Sequence, residues 1–200
     1  MSQVLQSPDK ATLRRSLLQE RQSMSLEDWR QKSEQVCLHL QASCLFTQAR
    51  TVLAYFSFRQ EPDLSQLFTL APGNRIWGFP RCQETSLIWH ACSPEDGNAF
   101  QIGTYGLREP RPDLPVLSAE QVDLLLIPAV ACDAQGYRLG YGSGFYDRLL
   151  SSPSWQSKPT IGIVFEAARL PALPVAPWDQ PVQAVCTEAG LVLAGDISKP

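Results

Sequence analysis

Up to Arg50 the apolar residues recur at helical spacing; beyond it they fall into short runs separated by polar and proline-rich stretches. The first pattern predicts helices and the second predicts strands. Ser7, Pro8 and Asp9 read as an N-cap, a first-turn proline and a first-turn acid. Leu13, Leu17 and Leu18 follow as the apolar face of that helix. Ser25 with Asp28 predicts a second N-cap with an acidic third position. Leu26, Trp29, Val36, Leu40 and Leu45 form its expected buried stripe.

Thr51 to Phe56 reads as a buried strand, followed by a polar stretch from Ser57 and a short helix from Asp63 to Leu70. Arg75 to Phe79 and Leu87 to His90 predict two more strands. A proline-rich connection runs from Glu109 to Pro115, and Val122 to Pro128 is almost continuously apolar. Such a run suits a strand of a parallel sheet covered on both faces. A helix is predicted from Phe145 to Leu150, a strand over Thr160 to Phe165, and short strands over Val182 to Cys186 and Leu191 to Leu193. Alternating strands and helices imply an α/β layered architecture. The segment Pro171 to Pro181 is too apolar to serve as a free linker.

With 200 residues, the chain is expected to fold as one domain. Its net charge of -3 argues against general nucleic-acid binding, which needs a basic footprint. No apolar run reaches bilayer length, and the polar stretch from Met1 to Lys10 lacks the core of a signal peptide. A cytoplasmic protein is expected. Cys37, Cys44, Cys82, Cys92, Cys132 and Cys186 form no C-x-x-C pair, and His39 and His90 are the only histidines. That pattern points to buried thiols in a reducing compartment rather than a zinc cluster.

The densest chemistry lies between Tyr137 and Arg148, where Gly140, Gly142 and Gly144 alternate with Tyr141 and Ser143 before Phe145, Tyr146 and Asp147. Glycines let a backbone approach a ligand closely, and the amides of Tyr141 to Gly144 suit phosphate oxygens. Arg138 would add a charge-assisted contact, and Asp147 is a hard oxygen donor suited to magnesium. From the residues alone, a tight turn explains the glycines equally well. The loop is neither a Walker A loop nor a G-x-G-x-x-G fingerprint.

Lys10 and Arg14 share a helical face and suit the tail of a triphosphate, although a solvated basic face, extended by Arg15 and Arg21, is the plainer reading. In the loop Phe58 to Asp63, Glu61 or Asp63 suits the amino-pyrimidine edge of a pterin; alternatively Asp63 is a helix cap. Tyr105 and Trp77 could stack on a flat ligand or belong to the core. His90 belongs to a strand and is assigned no role. Asp179 is a turn residue or a second metal-binding acid.

Together, Lys10 to Arg14, Tyr55 to Asp63, Gly103 to Pro110, Asp123 to Pro128, Arg138 to Asp147, and Leu173 to Asp179 with Val185 to Glu188 resemble the 5-formyltetrahydrofolate cyclo-ligase family, also called methenyltetrahydrofolate synthetase. Their order and spacing agree from Lys10 to about Glu188. Ser143 stands where the family often has glycine, alanine or lysine, and Pro62 where it usually has an aliphatic residue.

The resemblance implies a three-layer α/β/α sandwich like the sugar-phosphate isomerase and CoA-transferase group, with N-terminal helices. It implies a monomer that uses ATP and magnesium to convert 5-formyltetrahydrofolate to 5,10-methenyltetrahydrofolate. Lys10, Arg14, Arg138, Leu139, Gly140, Tyr141, Gly142, Ser143, Gly144, Phe145 and Tyr146 match ATP-contacting positions. Lys10, Arg14, Arg138 and Tyr146 also match catalytic ones. Phe58, Glu61 or Asp63, Tyr141, Gly142, Ser143, Gly144 and Phe145 match folate-contacting positions. Asp147 and Asp179 match magnesium positions, and Asp147→Ala is expected to abolish turnover without unfolding. Two other classes remain open: a folate- or nucleotide-binding module without catalysis, and a sugar-phosphate isomerase, which would need an enediol base and no ATP.

Overall fold

Asp9 caps the first helix: its carboxylate accepts from the amides of Ala11 and Thr12 at 2.8 and 2.9 Å. The expectation had put the cap at Ser7, which with Pro8 lies outside the residues described by this computed structural model, 9–70 and 75–195. The elements are α1 (Lys10–Gln22), α2 (Leu26–Ala42), α3 (Cys44–Gln48), β1 (Thr51–Leu53), α4 (Ser65–Leu70), β2 (Ile76–Gln83), β3 (Ser86–Ala91), β4 (Phe100–Ile102), β5 (Arg108–Pro110), β6 (Leu124–Pro128), β7 (Ala131–Asp133), β8 (Arg138–Leu139), α5 (Phe145–Ser151), β9 (Thr160–Ile163), β10 (Arg169–Leu170), β11 (Ala184–Thr187) and β12 (Gly190–Leu193).

Ser25 caps α2 as expected. The predicted stripe holds at its centre, where Val36 and Leu40 are fully buried, and fails at its ends. Leu26 opens the first turn toward solvent, and Leu45 belongs to α3. The break between the helices is Ser43, which is extended and turns its hydroxyl to the amide of Phe46, capping a new helix.

A seven-stranded sheet runs in the order β12-β11-β9-β6-β1-β2-β3. β2, β1, β6, β9 and β11 are parallel, while β3 and β12 close the two edges as antiparallel hairpins. Side chains alternate between its faces. Val52, Leu124, Leu126, Ile161 and Ile163 pack with Val36 and Leu40 of α2, Phe46 of α3 and Leu67 of α4. Leu53, Leu125, Ile127 and Val185 pack with Leu149 and Leu150 of α5. This gives the expected three layers, and it explains why β6 reads as an unbroken apolar run. Truncating Leu126 to alanine at its centre would cost about 3 kcal/mol.

Trp77 belongs to this core, edge-on to Phe68 at 4.9 Å, and does not form a platform for a flat ligand. The thiols are all free; Cys37, Cys132 and Cys186 are buried, Cys82 and Cys92 half-buried, and Cys44, contrary to expectation, exposed. Burial pushes Cys37, Cys132 and Cys186 up to about 12, which leaves them inert. His90 is buried, with Nδ1 against the carbonyl of Leu114 at 2.8 Å. No helix among the described residues is long and apolar enough to cross a membrane.

Two small sheets were not anticipated: the hairpin β4-β5, and the sheet β10-β7-β8. Their strands are two or three residues long, too short for alternation to register. Leu13, Leu17 and Leu18 of α1 pack on the second of these, against Val130, Ala131, Leu139 and Leu173. Helix α1 is thereby held over the end of the main sheet.

Candidate active site

The chain passes from β1 outward to β2, but from β6 in the opposite direction to β9 and β11. β1 and β6 are neighbours, so the sheet reverses direction between them. In open α/β sheets ligands bind at such a switch point, beyond the carboxyl ends of the strands. The Phe58 to Asp63 turn follows β1 there, and the glycine loop follows β6 through the β7-β8 hairpin.

The turn is held in an unusual conformation. Arg59 and Gln60 are both left-handed, with φ of 49° and 54°. Non-glycine residues adopt this region at a cost, which surrounding contacts must offset. Trp29 Nε1 and Ser57 Oγ donate to the Glu61 carbonyl at 2.8 and 2.7 Å, and Gln60 Nε2 donates to the Met24 carbonyl at 3.2 Å. The result is that Glu61, only 3 % exposed, turns its carboxylate inward. Oε2 accepts from the Phe58 amide at 3.1 Å and Oε1 from the Tyr141 hydroxyl at 2.9 Å. Burial pushes the Glu61 carboxyl up to about 7, against the opposing effects of the Arg21 charge and these hydrogen bonds. Asp63 faces elsewhere: its carboxylate takes the amide and hydroxyl of Ser65 at 3.1 and 2.8 Å and caps α4. Of the two acids left open by the sequence, Glu61 is thus the one joined to the glycine loop. Phe58 packs near the Tyr141 ring, centroids 6.0 Å apart.

In the loop itself, Gly142 and Gly144 have φ of 106° and 68°, and Gly144 is the residue from which α5 starts. Gly142 and Ser143 are exposed. Arg14 Nε donates to the Gly140 carbonyl at 2.6 Å, so α1 braces the loop from outside. Among the described residues, the amides of Tyr141 to Gly144 have no backbone partner. Leu139 is buried in the small core under α1, which leaves only its backbone for a ligand. Phe145 meets Tyr105 of the β4-β5 turn edge-on at 6.0 Å, while Tyr146 lies between Trp89 and the Arg138 guanidinium.

Beside the loop the charges form a chain. Arg138 is buried and donates through Nη1 to Asp147 Oδ1 and to the Gln180 carbonyl, both at 2.9 Å. Its Nη2 is buried without a partner among the described residues. The Gln180 amide donates to the same Asp147 oxygen at 3.2 Å. The neighbouring Asp179 pairs with Lys10 Nζ and accepts from the Ala176 amide at 2.7 Å. Lys10 and Asp179 pair at one end of this chain of contacts and Arg138 and Asp147 at the other, linked through the segment Asp179–Gln180. Asp147 and Asp179 are carboxylate oxygen donors of the kind that bind magnesium together with phosphates, although here each already accepts from a cation, Arg138 and Lys10 respectively. Among the described residues no cluster of three or more acids, histidines or cysteines forms a complete protein cage.

Arg21 was read as part of a solvated basic face, but it is 7 % exposed and reaches the centre of the site. Its spacing from Arg14, Leu17 and Leu18 places it on the inward face of α1, and that spacing was the available signal.

The 5-formyltetrahydrofolate cyclo-ligase family profile matches residues 6–188. The chain is 31 % identical over 179 residues to the 5-formyltetrahydrofolate cyclo-ligase of Escherichia coli K12, covering 84 % of this chain and 94 % of that one. It is 33 % identical over 187 residues to that of Mycolicibacterium smegmatis, covering 89 % and 93 %. The solution structure of Aquifex aeolicus 5,10-methenyltetrahydrofolate synthetase superposes with a TM-score of 0.82 at 28 % identity, covering 96 % of this chain and 95 % of that chain. Sequence, fold and the matched span agree, and the chain belongs to the 5-formyltetrahydrofolate cyclo-ligase family.

Proposed function

We propose that this protein closes 5-formyltetrahydrofolate to 5,10-methenyltetrahydrofolate, consuming ATP and releasing ADP and phosphate. The observation that carries this reading is the shared loop. On one side Tyr141 touches the carboxylate of Glu61; on the other, Arg14 and the Arg138–Asp147 pair brace the loop's two ends. A phosphate donor and a folate bound at this switch point would meet across Tyr141 to Phe145.

A formamide oxygen is a poor leaving group, and phosphorylation makes its departure easy. The N5-formyl oxygen attacks the γ-phosphorus and the bond to the bridging oxygen of ADP breaks. N10 then attacks the activated carbon and the ring closes; N10 gives up its proton, which leaves with the phosphate or to solvent, and the C–O bond breaks to release phosphate. Phosphoryl transfer of this kind depends on positioning and charge neutralisation. Lys10, Arg14 and Arg138 supply positive charge, and the loop amides hold phosphate oxygens. Glu61, ionised, accepts N–H groups of the amino-pyrimidine edge, while Phe58 and Phe145 flank the pterin. Asp147 and Asp179 would hold a magnesium ion, which when bound neutralises charge on the phosphates. Asp63 serves α4 rather than the pterin in this reading.

The test is an omission experiment. The full-length protein is mixed with 5-formyltetrahydrofolate, ATP and magnesium, and the near-ultraviolet absorbance of the methenyl product is followed. A rise that needs both ATP and magnesium supports the proposal. Folate binding without product would instead favour a non-catalytic module.

A further inference from the structure

Arg21 is a buried cation with no direct ion pair among the described residues. Its guanidinium is spent on neutral acceptors instead. Nε donates to the Arg59 carbonyl at 3.0 Å, Nη1 to the Ala129 carbonyl at 3.2 Å, and Nη2 to the Tyr141 hydroxyl. One planar fork thus ties the left-handed turn after β1, the chain leaving β6 and the glycine loop to α1. With Nη2 occupying an acceptor position of the Tyr141 oxygen, the phenol's own proton is directed to Glu61 Oε1 at 2.9 Å. Glu61 is therefore the counter-charge of Arg21, reached through one hydroxyl.

We propose that Arg21 is a positioning residue for the folate end of the site, acting through Tyr141 to keep Glu61 oriented and to favour its ionised form. The proposal rests on Glu61 accepting N–H groups of the pterin. Charge-assisted bonds strengthen in a buried setting, and a lysine cannot reproduce the three-way fork. The other groups facing Glu61 do not supply charge: the Phe58 amide comes from its own turn, and burial holds Tyr55 after β1 and Tyr146 of α5 neutral. The Arg59 guanidinium lies over the Phe58 ring at 5.0 Å. Arg21 is the cation that opposes the burial of Glu61.

The first measurement needs no substrate. Carbon-13 NMR of glutamate-labelled protein, with the Glu61 signal assigned by Glu61→Gln, gives its titration midpoint in wild type and in Arg21→Met. The midpoint is expected to rise by about one unit or more when the cation is removed; an unchanged midpoint overturns the proposal. The second measurement uses turnover. Arg21→Met should raise KM for 5-formyltetrahydrofolate about tenfold, leave KM for ATP within about twofold, and move the acid limb of kcat/KM toward higher pH. An equal rise in both KM values with no movement of the limb would mean that Arg21 only supports the fold. If Arg21→Met fails to fold, Arg21→Lys keeps the charge but not the fork, and an unaltered folate KM there also overturns the proposal. Wild-type protein that does not cyclise the formyl folate would remove the functional reading, and the NMR titration would still decide the link to Glu61.

Discussion

The Tyr141 hydroxyl donates to Glu61 Oε1 across 2.9 Å and joins the glycine loop after β8 to the turn after β1. The carboxylate it reaches is 3 % exposed, and its pKa is pushed from an ordinary 4.5 up to about 7 by burial. The fold therefore bears a cost for keeping this group ready to ionise, as binding sites often do.

That cost sets a pH dependence of stability. A carboxyl whose pKa is raised in the folded state favours folding most when protonated. Its contribution is fully present below about pH 4.5 and is lost as pH rises through about 7. Glu61→Gln keeps the shape without the titration. Wild type should therefore lose stability relative to Glu61→Gln between about pH 5 and about pH 8, by an amount on the order of 3 kcal/mol at most. Urea unfolding of both proteins at the two pH values measures it, and parallel pH dependences would contradict the assignment. The same variant should bind the formyl folate more weakly, because the neutral amide presents one acceptor where the carboxylate presents two.

Glycine substitutions separate strain from ligand approach. At Gly142 an added Cβ would meet nothing closer than the Arg14 guanidinium at 3.7 Å, yet φ is 106°. Gly142→Ala should therefore cost about 1–2 kcal/mol through torsion alone. At Gly140 the space is open and φ is not left-handed, so Gly140→Ala should change stability by less than about 0.5 kcal/mol. Both should raise KM for ATP if the loop backbone approaches the phosphates. Thermal melts and ATP titrations read the two effects independently; an unaltered ATP KM in both variants would remove the loop from the phosphate site.

Much of this architecture was legible in the chain. β6 reads as a doubly covered strand because Leu124 and Leu126 face one helix layer and Leu125 and Ile127 the other. Ser25 announces α2 by its own chemistry, since hydroxyl and acid sit three residues apart. What escaped depended on contacts distant in sequence. The break at Ser43 is a choice between two helix registers settled by Phe46 entering the core. β7, β8 and β10 are too short to show alternation and exist because α1 covers them. Arg21 looked like surface charge because its acceptors, carbonyls and a phenol, lie 38 to 120 residues away. That Glu61 faces the glycine loop while Asp63 serves α4 depends on the left-handed pair Arg59 and Gln60, which the sequence pattern does not show.

The partner of Arg138 limits how Asp147 can be altered. The Arg138 side chain is 3 % exposed and its ion pair with Asp147 spans 2.9 Å. Asp147→Ala was expected to abolish turnover without unfolding, but it would also leave a buried charge unpaired, at a cost of about 3 kcal/mol or more. Asp147→Asn retains an acceptor for the guanidinium. It should be the more stable variant, and should need more magnesium to reach half-maximal velocity. Chemical denaturation and a magnesium titration check the two halves; an unchanged magnesium requirement would show that Asp147 serves Arg138 alone.

The central claim is that one loop brings a phosphate donor to the formyl oxygen of the folate. It is tested most directly with 5-formyltetrahydrofolate carrying oxygen-18 in the formyl group. After turnover with unlabelled ATP in unlabelled water, the released inorganic phosphate is analysed by mass spectrometry. Direct attack of the formyl oxygen on the γ-phosphorus predicts that each phosphate formed carries one labelled oxygen. Label lost to water, with unlabelled phosphate released alongside the methenyl product, would contradict that step and the role of the shared loop with it.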